Sequence, residues 1–428
     1  MARRASFLAS GKAPIAEASW SLSQSWLNIP GAAVPLTVES GELPVADDEH
    51  ANANASSGAS SVLALHSSPA SRSQWPALAA ALRRQQADAV AKYEAGARPE
   101  APIWNTPRAI CAPNFFGSGK TSPWPDEHRA QTLDDHVRLV KSAAATAHAK
   151  RTEDSAMDNA QFIALLKDLG VPTGRLERHF FEGHTSTSLA ETIVDNNSAL
   201  GMSMERLGGL KDRHGTAPAI TASAPPRWRI VGQGMGGGVA AHAAASDPQF
   251  GASLDAIVLF EPHAFALLSD PRSCDPDGLR QWQALAHELV AHHRDRNFAA
   301  WTQAFARLYL PRTELLDETV DAALRASAAH ITLETRATLA AVEAAAAAPS
   351  VRPVDALRSL KSCAKHFVMS ASPGAGAERA LRALSSLLVT HAGFAEHQAP
   401  EGGHLALSTH AATIMPLLAR CLLDMPES

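Results

Sequence analysis

Residues 227–244 read RWRIVGQGMGGGVAAHAA, a passage that starts like a buried strand, turns through glycines and continues as a small-residue helix. The turn itself is Gly232-Gln233-Gly234-Met235-Gly236. Such a turn holds its central residue at positive φ and aims it outward at a helix N-terminus, where a hydroxyl or thiol there could attack a carbonyl. Here the centre is Gly234, which carries no oxygen or sulfur. Acyl transfer through a covalent intermediate therefore lacks its first step. Gly232, Gly234 and Gly237 also fit the G-x-G-x-x-G spacing that cradles a pyrophosphate, and Asp255 lies near the distance of a ribose-binding acid. Asp255 opens the next strand instead of closing it, and the passage is far from the chain's start. No dinucleotide cofactor is expected.

Other chemistry-bearing stretches fail on spacing. NFFGSGKT (Asn114 to Thr121) ends like a phosphate-binding loop, but Asn114 stands at the first glycine and SPWPDEH follows where a helix must begin. HELVAH separates His287 from His292 by five residues, which places them roughly 140° apart around a helix and not on one metal-binding face. His242, His263 and His293 are scattered and read as surface or satisfied core groups. Cys111, Cys274, Cys363 and Cys421 form no C-x-x-C, which fits buried thiols in a reducing compartment. No metal is expected. Ser203 in GMSME lies outside any such turn, so it is a poor substitute for the missing nucleophile.

Composition narrows the partners. The chain of 428 residues is 46% hydrophobic with a formal charge of −5, and it shows no basic run with interleaved aromatics, so nucleic acid is not expected. No apolar run reaches the roughly 18 to 20 residues of a membrane span. The leader MARRASFLASGKAPIA carries Arg3, Arg4 and Lys12 without an acid, a composition shared by transit peptides and by flexible basic tails. A mitochondrial location follows from the first reading and a cytoplasmic one from the second.

The elements that must position a site alternate. Trp26 to Pro30 and Val34 to Ser40 read as a hairpin; Val62 to His66, Ala109 to Pro113, Arg229 to Gln233, Asp255 to Pro262 and Lys365 to Ser370 are continuous apolar runs of doubly buried strands. Helical patterns lie between them, which predicts a mostly parallel α/β sheet covered on both faces. Residues 150–226 are polar and Gly/Pro-punctuated and read as a surface insertion, and 277–348 as a helical lid.

Six stretches, in order, resemble the α/β-hydrolase superfamily: VLALHSSPASRSQWPALAAAL (Val62 to Leu82), AICAPNFFGSGKTSPWP (Ala109 to Pro125), TLDDHVRLV (Thr132 to Val140), IVGQGMGGGVA, IVLFEP and EGGHLALSTHAATIMPLLARCL (Glu401 to Leu422). The resemblance implies the α/β-hydrolase fold with a leader at 1–23, core at 24–149, insertion at 150–226, core with the elbow at 227–274, helical lid at 275–361 and core at 362–428. It implies an oxyanion loop at His66, Ser67 and Ser68, where backbone N–H groups of Ser68 and Met235 would bind an oxyanion, and a general base at His404. The usual acid slot holds Ser372, with no carboxylate until Glu378; Glu261 occupies an alternative acid position, and a structural carboxylate beside Pro262 reads the same way. Gly234 for the nucleophile, Asn114 for the loop's acid and Ser67 for the oxyanion glycine depart from the pattern. The expectation is a non-catalytic hydrolase-like protein that serves other protein subunits as a structural or interaction module, for example as an accessory subunit of a mitochondrial complex. The alternatives are a hydrolase or lyase in which His404 activates water or a substrate proton, and a receptor holding a small-molecule ligand under the lid.

Overall fold

The computed structural model describes residues 20–29, 32–42, 60–67, 74–94, 107, 109–116, 121, 131–155, 227–311 and 318–424. One compact unit comprises residues 1–145 and 226–428. The other comprises 146–225, whose described part is the helical stretch 146–155.

In the first unit β1 (Trp20–Ile29) pairs antiparallel with β2 (Ala32–Glu42), with Ile29 opposite Ala32. The remaining strands are β3 (Ser61–Leu65), β4 (Ala109–Pro113), β5 (Trp228–Gln233), β6 (Leu254–Phe260), β7 (Ala364–Met369) and β8 (Ala395–Gln398). The sheet order is β1-β2-β4-β3-β5-β6-β7-β8, antiparallel up to β4 and parallel from there on. Continuous apolar strands need cover on both faces, and β3 and β5 are buried throughout. On one face, Val62, Ala64, Ile110, Val231, Val258, Phe260 and Val368 pack with helices α1 (Trp75–Glu94) and, at the chain's end, Ala411–Leu423.

Strand order fixes where a site can form. From β3 the chain runs to β4 on one side and then crosses to β5 on the other, so the loops after β3 and β5 diverge at a switch point at the strands' C-terminal ends. Helix α2 (Leu133–Ser155) precedes β5, and α3 (Gly234–Ser246) follows it without a connecting residue. The close approach requires Gly236: a Cβ there would lie 2.4 Å from the Leu65 carbonyl oxygen and 2.7 Å from that of His66. The short α4 (Pro248–Ala252), capped by Asp247, leads into β6.

Between β6 and β7 the described residues form helices α5 (Pro276–Arg294), α6 (Phe298–Tyr309), α7 (Glu318–Ala326), α8 (Ala328–Ala347) and α9 (Arg352–Ser359). Asp275 and Asn297 cap α5 and α6 by accepting from the Gly278 and Ala300 N–H groups. Helix α8 turns Thr332, Glu334, Thr335 and Thr338 inward, and the three hydroxyls return to the carbonyls four residues back. After β7 come α10 (Glu378–Ala392), β8, α11 (Ala406–Thr409) and α12 (Ala411–Leu423). Strand β8 has no counterpart among the runs recognised in the sequence, because its residues are exposed or half-buried at the sheet edge and carry no apolar signal.

Two outcomes follow. Gly236→Ala forces a methyl against backbone that has no side-chain freedom to yield, and should cost at least about 2 kcal/mol in urea unfolding, whereas Val389→Ala on the exposed face of α10 should stay within about 0.5 kcal/mol. Burial pulls the His66 and His136 imidazoles down to about 4. The unfolded chain binds more protons once pH falls below the ordinary histidine range, so their stabilising contribution is full above that range and is lost as pH falls toward 4. A pH series of urea midpoints should decline across that interval, and His136→Asn should flatten the slope.

Candidate functional site

The switch point gathers the residues that the sequence singles out. Gly234 opens α3 with φ +49°, the left-handed conformation that an elbow imposes, and its carbonyl accepts from the His263 N–H at 2.7 Å. A Cβ at position 234 would lie 3.0 Å from Ser67 Oγ, 3.1 Å from Ser67 Cβ and 3.3 Å from His404 Cε1. The backbone thus keeps the turn, and the imidazole and a hydroxyl face the point where a side chain would emerge.

His404 and Glu261 come together. His404 Nδ1 lies 2.8 Å from Glu261 Oε2, both residues are buried, and the His404 carbonyl accepts from Gln233 Nε2 at 2.8 Å, which ties the β8–α11 loop to the elbow strand. Glu261 adopts φ +40°, a conformation uncommon outside glycine, immediately after β6. Its second oxygen accepts from the Ser370 hydroxyl and from the Ser370 N–H at 3.3 Å. Ser370 directly follows β7, near where the hydrolase pattern usually has its own acid. The strand that lacks the carboxylate thereby supplies a donor to the carboxylate from its neighbour. Ser372 and Glu378 make no contact with this pair; the Ser372 N–H goes to the Gly402 carbonyl, and Glu378 receives Arg382 on α10.

The helices between β6 and β7 close over the front. Ser67 Oγ donates to Glu334 Oε2 of α8 at 3.1 Å, with both side chains buried. Thr338 Oγ, one turn on, lies 3.5 Å from the Met235 sulfur. Tyr309 of α6 stacks on the His404 ring at 4.8 Å between centroids, and His263 stacks on it at 5.2 Å with planes 9° apart. Burial, with a smaller effect of His404, holds the His263 imidazole well below its ordinary range, so it stands neutral beside His404. Burial likewise raises the Tyr309 phenol above its ordinary range.

His263, which the sequence places among scattered surface or satisfied core histidines, is buried against the His404 ring, and its position two residues after Glu261 was the available signal; Tyr309, Glu334 and Ser370 have no role in the sequence reading. Glu334 could be found only from the inward spacing of Ile331, Thr335, Thr338 and Val342, and Tyr309 had no local signal. The oxyanion donor assigned to Ser68 and the loop residues Gly117 to Lys120 lie outside the described residues, as does Ser203. Met235 lies at the start of α3, fully buried. Asn114 is buried beyond β4. His287 and His292 point to different acids, Glu343 and Glu288, each at 3.4 Å, so HELVAH does not converge.

No protein-family model matches the chain, and no curated protein matches it. Among solved structures it is similar to a haloalkane dehalogenase loop variant from Bradyrhizobium elkanii, at 15% identity over 94% of this chain and 96% of that one with a TM-score of 0.44. It is similar to a bromoperoxidase from Bacillus anthracis, at 13% identity over 94% and 100% with a TM-score of 0.47. It is also similar to an α/β hydrolase from a Medee basin deep-sea metagenome library, at 10% identity over 92% and 96% with a TM-score of 0.47. Likeness at this level carries no statement about chemistry. Sheet order, the positive-φ turn between β5 and α3, and a histidine loop after β8 that meets an acid after β6 together give this chain the α/β-hydrolase fold, with glycine at the elbow.

Proposed function

We propose that this chain is a non-catalytic α/β-hydrolase-like protein that acts as a structural or interaction subunit. One observation carries the reading: the elbow keeps its backbone but lacks its oxygen, and the space before it is occupied by the Ser67–Glu334 hydrogen bond. An oxyanion site works by presenting donors to developing negative charge in a water-excluded place. A carboxylate held on the oxyanion loop opposes that charge, and a substrate carbonyl would have to displace it. The buried rings of Tyr309 and His263 take up the remaining room around His404. A cavity of about 470 Å³ between α5, α6 and the loop before α10 is lined by Gln281, Leu285, Arg307 and Pro311, none of which belongs to the elbow group. The Arg- and Ser-containing leader supports the version in which the complex is mitochondrial.

A second reading has a specific observation in its favour. The His404–Glu261–Ser370 chain is complete, and Glu261 is held in a costly backbone conformation of the kind that gathers at active sites. In that reading His404 activates water or takes a substrate proton after α8 moves aside.

Activity separates the two. The purified full chain should show no turnover of ester substrates above buffer and no labelling by a fluorophosphonate; turnover abolished by His404→Ala would overturn the scaffold reading and establish the second. Gly234→Ser should cost about 1–2 kcal/mol of stability for a side chain in the left-handed region and, with Glu334 still in place, remain unlabelled. Native-size fractionation of the source cells should place the chain in a large assembly, and migration as a lone monomer counts against the subunit role.

A further inference from the structure

Away from the elbow, the far edge of the sheet gathers a second group. His366 and Val368 alternate along β7 onto one face, and His397 of β8 is the register partner of Val368, so the two histidines share that face. It is the face on which Val368 packs with α12, where Cys421 is buried. His366 Nδ1 and His397 Nε2 stand 2.9 Å apart, and one ligand atom from each of His366, His397 and Cys421 falls within 4.8 Å of the others. The opposite nitrogen of His366, Nε2, is buried without a hydrogen-bond partner and faces Asp424 Oδ2 at 3.8 Å.

We propose that His366, His397 and Cys421 form a binding site for a divalent transition metal, zinc by the chemistry of its donors. The inference goes beyond the scaffold reading and is independent of it. Two imidazoles and a thiolate suit zinc and cobalt rather than the oxygen-seeking magnesium or calcium. A tetrahedral zinc with these ligands sets donor atoms roughly 3.3 to 3.6 Å apart, against 2.9 Å between the two imidazole nitrogens and at most 4.8 Å within the group. Burial pushes the Cys421 thiol up to about 12; on coordination its proton leaves to solvent and the sulfur binds as thiolate. Asp424 then accepts from His366 Nε2–H, the carboxylate–histidine–metal arrangement that fixes the ring's tautomer. Half-buried His397 on the edge strand leaves the fourth position open to water. No local motif announces this site, because its ligands come from two strands and a helix and tertiary packing alone brings them together.

The test is titration of the chelator-treated full chain with cobalt(II). The expected result is one equivalent bound, with the strong visible absorption of tetrahedral cobalt and a thiolate-to-cobalt band in the near ultraviolet, both removed by zinc. Cys421→Ser should abolish the thiolate band. His397→Gln, at the exposed edge where folding is not at stake, should weaken binding at least about 100-fold, and Asp424→Asn about 10- to 100-fold with the thiolate band retained. Absence of stoichiometric binding, weak octahedral-type absorption without the thiolate band, or affinity unchanged in His397→Gln would each overturn the site.

Discussion

The contact between the first turn of α3 and the end of β3 is the constraint on which the site depends. Gly236 lies where a side chain would meet the Leu65 and His66 carbonyls, so the helix begins hard against the strand. That approach brings the β3 exit, with Ser67, to the same point as the β5 exit, with Gly234. It is a backbone property and survives whatever side chain stands at position 234. The sheet order makes the same demand from further out, because only at the switch between β3 and β5 do adjacent loops part and leave room between them.

What fills that room is decided by electrostatics. Buried polar groups favour partners, and several here are bound to another element: Ser67 to Glu334 of α8, Glu261 to Ser370 beyond β7 and to His404, and the His404 carbonyl to Gln233 of β5. These bonds hold the helical segment between β6 and β7 to the sheet. A serine hydrolase must leave donors unspent for its transition state. In this chain the Ser67 hydroxyl, which faces the vacated position, is already committed to a carboxylate.

Much of this was legible in the sequence. The strands β3 to β7 announced themselves as continuous apolar runs because they are covered on both faces, and the glycine turn announced the elbow because no other residue types fit its close approaches. Glu261 and His404 were legible only through the order of six stretches, since each alone is an ordinary strand-end residue. Glu334 and Tyr309 were not legible: their role comes from how α6 and α8 lie on the sheet, and a helix's inward face says nothing of which loop it will meet. His366, His397 and Cys421 were hidden for the same reason, and β8 because an edge strand need not be apolar.

The persistence of an acid–base pair without a nucleophile has a physical explanation that does not require catalysis. Glu261 is fully buried, with one oxygen toward His404 and the other toward Ser370. Removing one partner of a buried hydrogen bond leaves the other unsatisfied, which costs about 1–3 kcal/mol. Loss of the oxygen at position 234 carries no such penalty: glycine fits the left-handed turn better than serine does, and the space passes to Ser67. An elbow can therefore lose its attacking atom at little structural cost while the imidazole and carboxylate stay locked together. The asymmetry lies in pairing: Glu261 and His404 are each the other's buried partner, whereas glycine at position 234 leaves no side-chain polar group to satisfy.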